Sequence, residues 1–138
     1  MTLRWLLPTV LYVVLIGGLG VASKLALRDL AWQDLIVWTT VGYIVVAVVM
    51  LAGGHASLGL GEGSAWAMLA GALAIGGLIA LYIALGTGEA SKVVPVSAAY
   101  PAVTLLLSAL FLSESVSPAR ACGMTLVVAG VVVLTAAR

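Results

Sequence analysis

The chain has 138 residues, of which 64% are hydrophobic and 8% are charged, and its formal net charge is +1 at pH 7. Soluble domains contain roughly 45–50% apolar and 25% charged residues. The composition therefore excludes a soluble domain and indicates an all-α integral membrane protein. The charge excludes a nucleic-acid-binding protein, which needs a basic patch. With one cysteine and one histidine, the sequence predicts no internal disulfide, no metal site and no cofactor.

Five apolar stretches are predicted to cross the membrane as helices. They cover residues 5–26, 35–51, 66–85, 93–112 and 121–137. Each is long enough for a hydrocarbon core of about 30 Å. The connections are short, which makes consecutive helices antiparallel neighbours, and residues 1–138 are predicted to form a single transmembrane domain. We expect the first span to be retained and not cleaved as a signal peptide, because four further spans follow.

Lys24 is the deepest charged residue of the first span and lies about one helical turn from its end. Its long side chain can reach the membrane interface by snorkelling. The alternative is a counter-charge for an anionic group of a substrate, which makes Lys24 a candidate substrate-binding residue.

No Asp, Glu or His lies well inside a span. This argues against a proton relay at the midplane and against hydrolytic catalysis, so we expect no enzyme activity.

Each of the first four spans carries one deep tyrosine: Tyr12, Tyr43, Tyr82 and Tyr100. Trp38 accompanies Tyr43 in the second span. Buried phenols need hydrogen-bond partners, and phenols around one space suit an amphipathic or cationic molecule. Hydrogen bonding between helices explains each tyrosine singly. Both interpretations stay open, and we take Tyr12, Trp38, Tyr43 and Tyr82 as candidate cavity walls.

The fourth span is uncharged and contains two prolines, Pro95 and Pro101. A proline inside a helix removes a backbone donor and clashes with the carbonyl four residues earlier, so we expect a bend at Pro101. The span also carries four polar residues whose spacing places them on one stripe of a continuous helix. They are Ser97, Tyr100, Thr104 and Ser108. The stripe fits contacts between helices or a substrate path. Ser97, Tyr100, Pro101 and Thr104 are therefore candidate substrate-binding residues.

The fifth span carries Gly123 and Gly130, seven residues apart on one helix face. Small residues let membrane helices approach closely. The pair fits packing within one subunit or a contact between subunits, and we take it as a candidate dimer contact.

Lysine and arginine are distributed weakly between the two sides of the membrane. Two lie on the side of the N-terminus and four on the other side: Arg4 and Arg120 against Lys24, Arg28, Lys92 and Arg138. The excess favours a cytoplasmic C-terminus. Because the bias is small, insertion in both orientations also stays open.

The first span and its loop read GVASKLALRDLAWQDL, and the third span continues through LYIALGTGEASKVVPVSAAYPAVTLLLSALFLSESVSP into the Gly-rich fifth. These runs resemble one EamA domain of the drug/metabolite transporter superfamily over nearly the whole chain. The matching positions are Tyr82, Ala84, Leu85, Pro101, Leu112, Glu114, Gly123 and Gly130. The second span departs from the family pattern, because LIVWTT stands where many members carry an arginine. An anion-binding role for that arginine is not carried over.

The resemblance implies a multi-pass protein of a bacterial- or archaeal-type inner or plasma membrane. Most family members resemble two such units fused in inverted orientation, whereas this sequence holds one. The resemblance therefore implies pairing with a second copy or with a related half. The related small multidrug resistance family works as antiparallel homodimers and uses a glycine pair with the spacing of Gly123 and Gly130. Its coupling carboxylate in the first span has no counterpart here, so its mechanism is not transferred.

Taken together, these observations predict a small secondary transporter embedded in the lipid bilayer. It would move a small metabolite or amphipathic solute by alternating access as a dimer, with the two copies antiparallel. The alternative is a non-transporting membrane subunit or half-transporter that pairs with a sister half, for example in a lipid-linked sugar flippase.

Overall fold

The computed structural model describes residues 6–59 and 61–136, and this part of the chain is helical without strands. Its helices are α1 (Leu6–Ala26), α2 (Trp32–Ala52), α3 (Glu62–Thr87), α4 (Ala90–Ser97), α5 (Tyr100–Phe111) and α6 (Pro118–Ala136). Because α4 and α5 together form one apolar stretch, five stretches are long and apolar enough to cross a membrane. The predicted all-α fold with five transmembrane spans is confirmed. The predicted outer ends of the first and last spans, and Arg4 and Arg138 of the charge count, lie outside the described residues.

Two helices begin earlier than their apolar stretches do. The second helix starts at Trp32 and the third at Glu62, whereas hydropathy places these starts at residues 35 and 66. At the start of α3, the Gly61 N–H donates to Ser64 Oγ at 3.0 Å. This is one half of a capping box, which satisfies a backbone donor at the helix start. In α3, helical structure thus begins before the apolar segment with a local polar partner.

A Schellman motif ends α2. Gly54 has a φ of 68°, a left-handed conformation that glycine adopts without steric cost. The His55 N–H donates to the Met50 carbonyl at 3.0 Å, and the Gly54 N–H donates to the Leu51 carbonyl at 3.1 Å. These two bonds satisfy carbonyls that the end of a helix would otherwise leave unpaired.

The fourth span is interrupted at Ala98 and Ala99, where the backbone forms a turn between α4 and α5. The Ala102 N–H donates to the Ala99 carbonyl at 3.0 Å, a bond three residues back. Pro101 lies in the first turn of α5, where its missing N–H would have no partner within the helix. The helix is therefore interrupted next to the proline at which the sequence predicts a bend. Ser97 ends α4 before this interruption, and Tyr100 begins α5 after it, so the polar stripe stays a prediction.

The chain divides into two compact units, the first ending at Thr87 and the second beginning at Gly88. In the first unit, α1 and α2 each pack against α3. In the second unit, α4 and α5 each pack against α6. Every buried residue of the described part of the chain lies in the first unit: Gly20, Ser23, Leu35, Tyr82 and Leu85. We call these five residues the buried junction.

Candidate functional site

The buried junction lies at one end of the first unit. It combines the end of α1, the start of α2 and the end of α3. On α3, Tyr82 and Leu85 are both 0% exposed and lie three residues apart, hence on one face. On α1, Gly20 and Ser23 have the same spacing, and small residues permit close approach of membrane helices. The junction therefore closes the first unit at this side of the membrane.

Lys24 connects α1 to α3. Its half-buried side chain donates from Nζ to the Leu85 carbonyl at 2.6 Å. Leu85 lies in the last turn of α3, where carbonyls have no partner within the helix and the helix dipole is negative. A lysine that reaches such a carbonyl acts as a cap for the helix end. Lys24 thus has a structural role that the sequence did not indicate, and its predicted contact with substrate stays a prediction.

Thr87 satisfies the neighbouring carbonyls of the same helix end. Its Oγ1 lies 3.2 Å from the Ile83 carbonyl and 3.3 Å from the Ala84 carbonyl. The two carbonyls share the single hydroxyl proton of Thr87, and Lys24 donates to the carbonyl that follows them. This matters in lipid, where water is not available to replace a missing partner.

Tyr82 connects α3 to α2 through its phenol. Its hydroxyl oxygen lies 3.1 Å from Thr39 Oγ1, and Thr39 Oγ1 in turn donates to the Leu35 carbonyl at 2.8 Å. Because a threonine hydroxyl has one proton, the phenol donates to Thr39. Tyr82 therefore makes the interhelical hydrogen bond considered for each tyrosine, and its place in a cavity wall stays a prediction.

A cavity of about 430 Å³ lies beside this connection, between α2 and α3. We call it the α2–α3 cavity. From α2 it is lined by Ile36, Thr39, Thr40, Tyr43, Ile44 and Ala47. From α3 it is lined by Gly71, Ala74, Ile75 and Leu78. Its volume falls within the range of about 300–1,000 Å³ that is typical of small-molecule sites.

The polar groups of the α2–α3 cavity are three hydroxyls, those of Thr39, Thr40 and Tyr43. Thr40 Oγ1 donates to the Ile36 carbonyl at 2.8 Å, as Thr39 does to Leu35. A threonine that donates to its own helix keeps its oxygen lone pairs as acceptors. No charged side chain lines the cavity. The sequence indicated Tyr43 as a candidate wall residue, but it gave no signal for Ile36 or Thr40.

The remaining candidates of the first unit, Tyr12 and Trp38, are exposed. The side chain of Trp38 is 67% exposed, and Trp38 does not belong to the lining of the α2–α3 cavity. Of the predicted wall residues, Tyr43 thus lines this cavity. Tyr82 does not line it but contacts Thr39, which does.

The hydroxyls of the fourth span bond to their own helices. Ser97 Oγ donates to the Val94 carbonyl at 2.7 Å, and Thr104 Oγ1 donates to the Tyr100 carbonyl at 3.4 Å. Tyr100 itself is exposed. These residues and Pro101 surround the interruption between α4 and α5, and their contact with a substrate stays a prediction.

In the second unit, α5 and α6 line a further, open cavity of about 520 Å³. Ala102 and Ala109 line it from α5, and Ala121, Met124 and Thr125 line it from α6. Gly123 and Gly130 are not part of this lining, and a Cβ atom added to either would meet nothing within 4 Å. The face of α6 with the two glycines therefore lies open within its own unit.

Among the described residues, no three His, Cys, Asp or Glu side chains come together in a group that would hold a metal ion. The one ion pair of this part of the chain joins Lys92 Nζ to Glu89 Oε2 at 3.0 Å, and both side chains are exposed. The candidate site consequently consists of hydroxyls, backbone carbonyls and apolar side chains.

The sequence of the chain matches a known protein family over nearly its whole length. The EamA-like transporter family model matches residues 3–136. An uncharacterised protein of Methanocaldococcus jannaschii is 39% identical over 70 residues, which cover 51% of this chain and 51% of that protein. The match thus spans about half the length of this curated relative. No solved structure matches the chain.

Proposed function

Because the chain belongs to the EamA-like transporter family, we propose that it is a small secondary transporter of a bacterial- or archaeal-type plasma membrane. It moves a small metabolite or amphipathic solute by alternating access, as an antiparallel dimer. The observation that supports this proposal most strongly is the family match over residues 3–136, in a multi-pass protein with five membrane spans.

The interruption between α4 and α5 supports the assignment of the moving element. Discontinuous membrane helices commonly form substrate sites in secondary transporters. Here the interruption lies at Ala98 and Ala99, next to Tyr100 and Pro101. We propose that α5 changes its angle to α4 at this turn during transport, with Tyr100 and Thr104 facing the substrate.

The open glycine face of α6 supports the dimer. Five spans place the start of α1 and the end of α6 on opposite sides of the bilayer, so a second copy in the opposite orientation gives an inverted pair. Gly123 and Gly130 have open space where a Cβ would lie, and such a face allows the backbone of another helix to approach. We propose that α6 packs there against α6 of the second copy.

Orientation tests the dimer. Cys122 is the one cysteine of the chain, so a Cys122→Ser background accepts a new cysteine at Ser57, in the exposed loop between α2 and α3. Labelling of Ser57→Cys in comparable fractions from both sides of sealed vesicles is expected for an antiparallel dimer. Labelling from one side alone would exclude the antiparallel homodimer and favour a sister half-transporter as the partner.

Substitution of Tyr100 tests the transport path. Tyr100→Ala is expected to lower the efflux of fluorescent amphipathic dyes from expressing cells about tenfold, which corresponds to roughly 1.4 kcal/mol. Tyr100→Phe, which keeps the ring, is expected to retain more activity. Efflux at the wild-type rate by a folded Tyr100→Ala variant would remove Tyr100 from the path.

A further inference from the structure

We infer that the α2–α3 cavity binds an uncharged, mainly apolar solute that donates a hydrogen bond. The inference rests on the proposed transport function and specifies the class of substrate. It also resolves the question left by the sequence, where Lys24 suggested an anion and the tyrosines suggested a cation.

The charge of the site argues for a neutral solute. The lining of the cavity contains no Asp, Glu, Lys, Arg or His. The nearby cation, Lys24, donates to the Leu85 carbonyl at 2.6 Å and is not part of the lining. An ion transferred from water to such a site would lose its hydration without gaining a counter-charge, which makes its binding unfavourable.

The hydroxyls of α2 argue for a donor on the solute. The protons of Thr39 and Thr40 are both used on carbonyls of their own helix, each at 2.8 Å. The phenol of Tyr82 already reaches Thr39. Thr40 therefore offers its oxygen to the cavity as an acceptor, and a solute with an O–H or N–H group provides the matching donor. The Tyr43 hydroxyl, which also lines the cavity, can donate as well as accept, so the preference for a donor on the solute comes from Thr40.

The position and shape of the site fit a solute that enters from within the membrane. Thr40 lies eight residues after the start of α2 at Trp32, a distance of about 12 Å along the helix axis at 1.5 Å per residue. On the α3 side, a Cβ atom added to Gly71 would meet nothing within 4 Å. The cavity is thus open near the middle of the bilayer and is bounded towards one surface by the buried junction.

The alternative occupants match this chemistry less well. A lipid acyl chain fills apolar space but has no donor for Thr40. A helix of a second copy has its backbone N–H groups already paired within the helix, so it reaches Thr40 only if a hydroxyl or indole side chain lies at the matching position. A small solute with one donor satisfies both the apolar walls and the free acceptor.

Binding of four naphthalene derivatives of similar size tests the inference. Naphthol is neutral and donates a hydrogen bond, methylnaphthalene is neutral without a donor, naphthoate is an anion, and naphthylmethylammonium is a cation. Equilibrium dialysis against the purified full chain in micelles, with protein-free micelles as the blank, separates binding from partition into detergent. We expect naphthol to bind with saturation and the three other probes to bind about fivefold more weakly or worse.

Two pairs of variants locate the binding. Gly71→Leu fills the cavity, whereas Gly76→Leu makes the same change on α3 outside the lining, and both positions have open space for a side chain. We expect naphthol affinity to fall about tenfold or more in Gly71→Leu only.

Thr40→Val removes the acceptor, and Thr125→Val on α6 removes a hydroxyl with the same bond to the carbonyl four residues earlier. We expect about fivefold weaker naphthol binding in Thr40→Val only.

Three results would overturn the inference. Equal or tighter binding of a charged probe would mean a different substrate class. Equal effects of Gly71→Leu and Gly76→Leu would place the binding elsewhere. Equal binding of naphthol and methylnaphthalene, unaffected by Thr40→Val, would mean an unselective apolar groove of the kind that an acyl chain fills. If Gly71→Leu does not fold, Thr40→Val and the four probes still decide the question.

The failure of this inference can be distinguished from the failure of the proposed function. Dye efflux that depends on Tyr100 but is unaffected by Gly71→Leu, without saturable naphthol binding, would retain a transporter and remove this site. Saturable and selective naphthol binding by a protein that moves no solute would retain the site and remove the transport function.

Discussion

The two compact units of the chain hold their helices together in different ways. In the first unit, polar groups of different helices bond to one another, as in the contact of Lys24 with the Leu85 carbonyl and that of Tyr82 with Thr39. In the second unit, the hydroxyls of Thr104 and Thr125 bond to carbonyls of their own helices. Buried residues occur in the first unit, whereas the described part of the second has none.

This difference indicates how each unit depends on its surroundings. A membrane helix gains no hydrophobic driving force by leaving lipid for another helix, so association relies on packing and on polar contacts between helices. The first unit contains both contributions at its buried junction. The second unit has open small-residue surface, and its association is expected to depend more on lipid or on a second copy.

Loss of the Lys24 contact is expected to give the largest effect on stability. Lys24→Met keeps a long apolar side chain but leaves the buried Leu85 carbonyl without its charged donor. Hydrogen bonds to charged groups contribute about 1.5–3 kcal/mol, so we expect the free energy of unfolding to fall by that amount. Unfolding of the protein by titration with sodium dodecyl sulfate in mixed micelles measures this free energy.

Lys92→Met provides the matched control, because Lys92 pairs with Glu89 on an exposed surface of the second unit. Such pairs contribute about 0–1 kcal/mol. Equal effects of the two lysine substitutions would contradict the difference drawn between the units.

Loss of the Tyr82 hydroxyl is expected to give an intermediate effect. Tyr82→Phe removes the bond to Thr39 while the ring still fills the buried junction. Interhelical hydrogen bonds in membranes average about 0.6 kcal/mol, and we expect a loss of this size in the same titration.

A double-mutant cycle with Thr39→Val isolates the Tyr82 contact, because Thr39→Val alone also removes the bond to the Leu35 carbonyl. The coupling energy should be about 0.6 kcal/mol. A coupling energy of zero would show that the two hydroxyls do not stabilise each other.

Loss of the Thr125 hydroxyl is expected to give the smallest effect. In Thr125→Val the Ala121 carbonyl keeps its backbone partner in the helix, so we expect a change below about 0.5 kcal/mol. A loss as large as that of Tyr82→Phe, measured under the same conditions, would mean that Thr125 makes a contact outside its own helix.

Hydropathy was sufficient to predict the fold because the hydrocarbon core selects for uniformly apolar segments. It predicted five spans, and Pro101 predicted the place where the fourth is interrupted. It did not predict the starts of α2 at Trp32 and α3 at Glu62, because these turns consist of residues that lie outside the apolar segment. At the start of α3, Ser64 Oγ accepts from the Gly61 N–H and caps the extended helix.

The candidate site was less predictable, for two physical reasons. Each span is apolar on all of its faces, so periodicity did not indicate which face of α2 meets α3, and Thr40 gave no signal. The partner of Lys24 is a backbone carbonyl, which no side chain in the sequence marks. The sequence therefore indicated Lys24 and Tyr82 as notable residues without indicating what they contact.

The bond between Lys24 and Leu85 has a consequence for biosynthesis, because 61 positions separate the two residues along the chain. At about 5–20 residues per second, roughly 3–12 s pass between the synthesis of Lys24 and that of its acceptor. During this interval the ammonium group must remain hydrated at the membrane surface, since an unpaired charge is costly in the hydrocarbon. The bond that ties α1 to α3 therefore forms only after the end of α3 has been synthesised, and a nascent chain that is stalled before Leu85 lacks this contact.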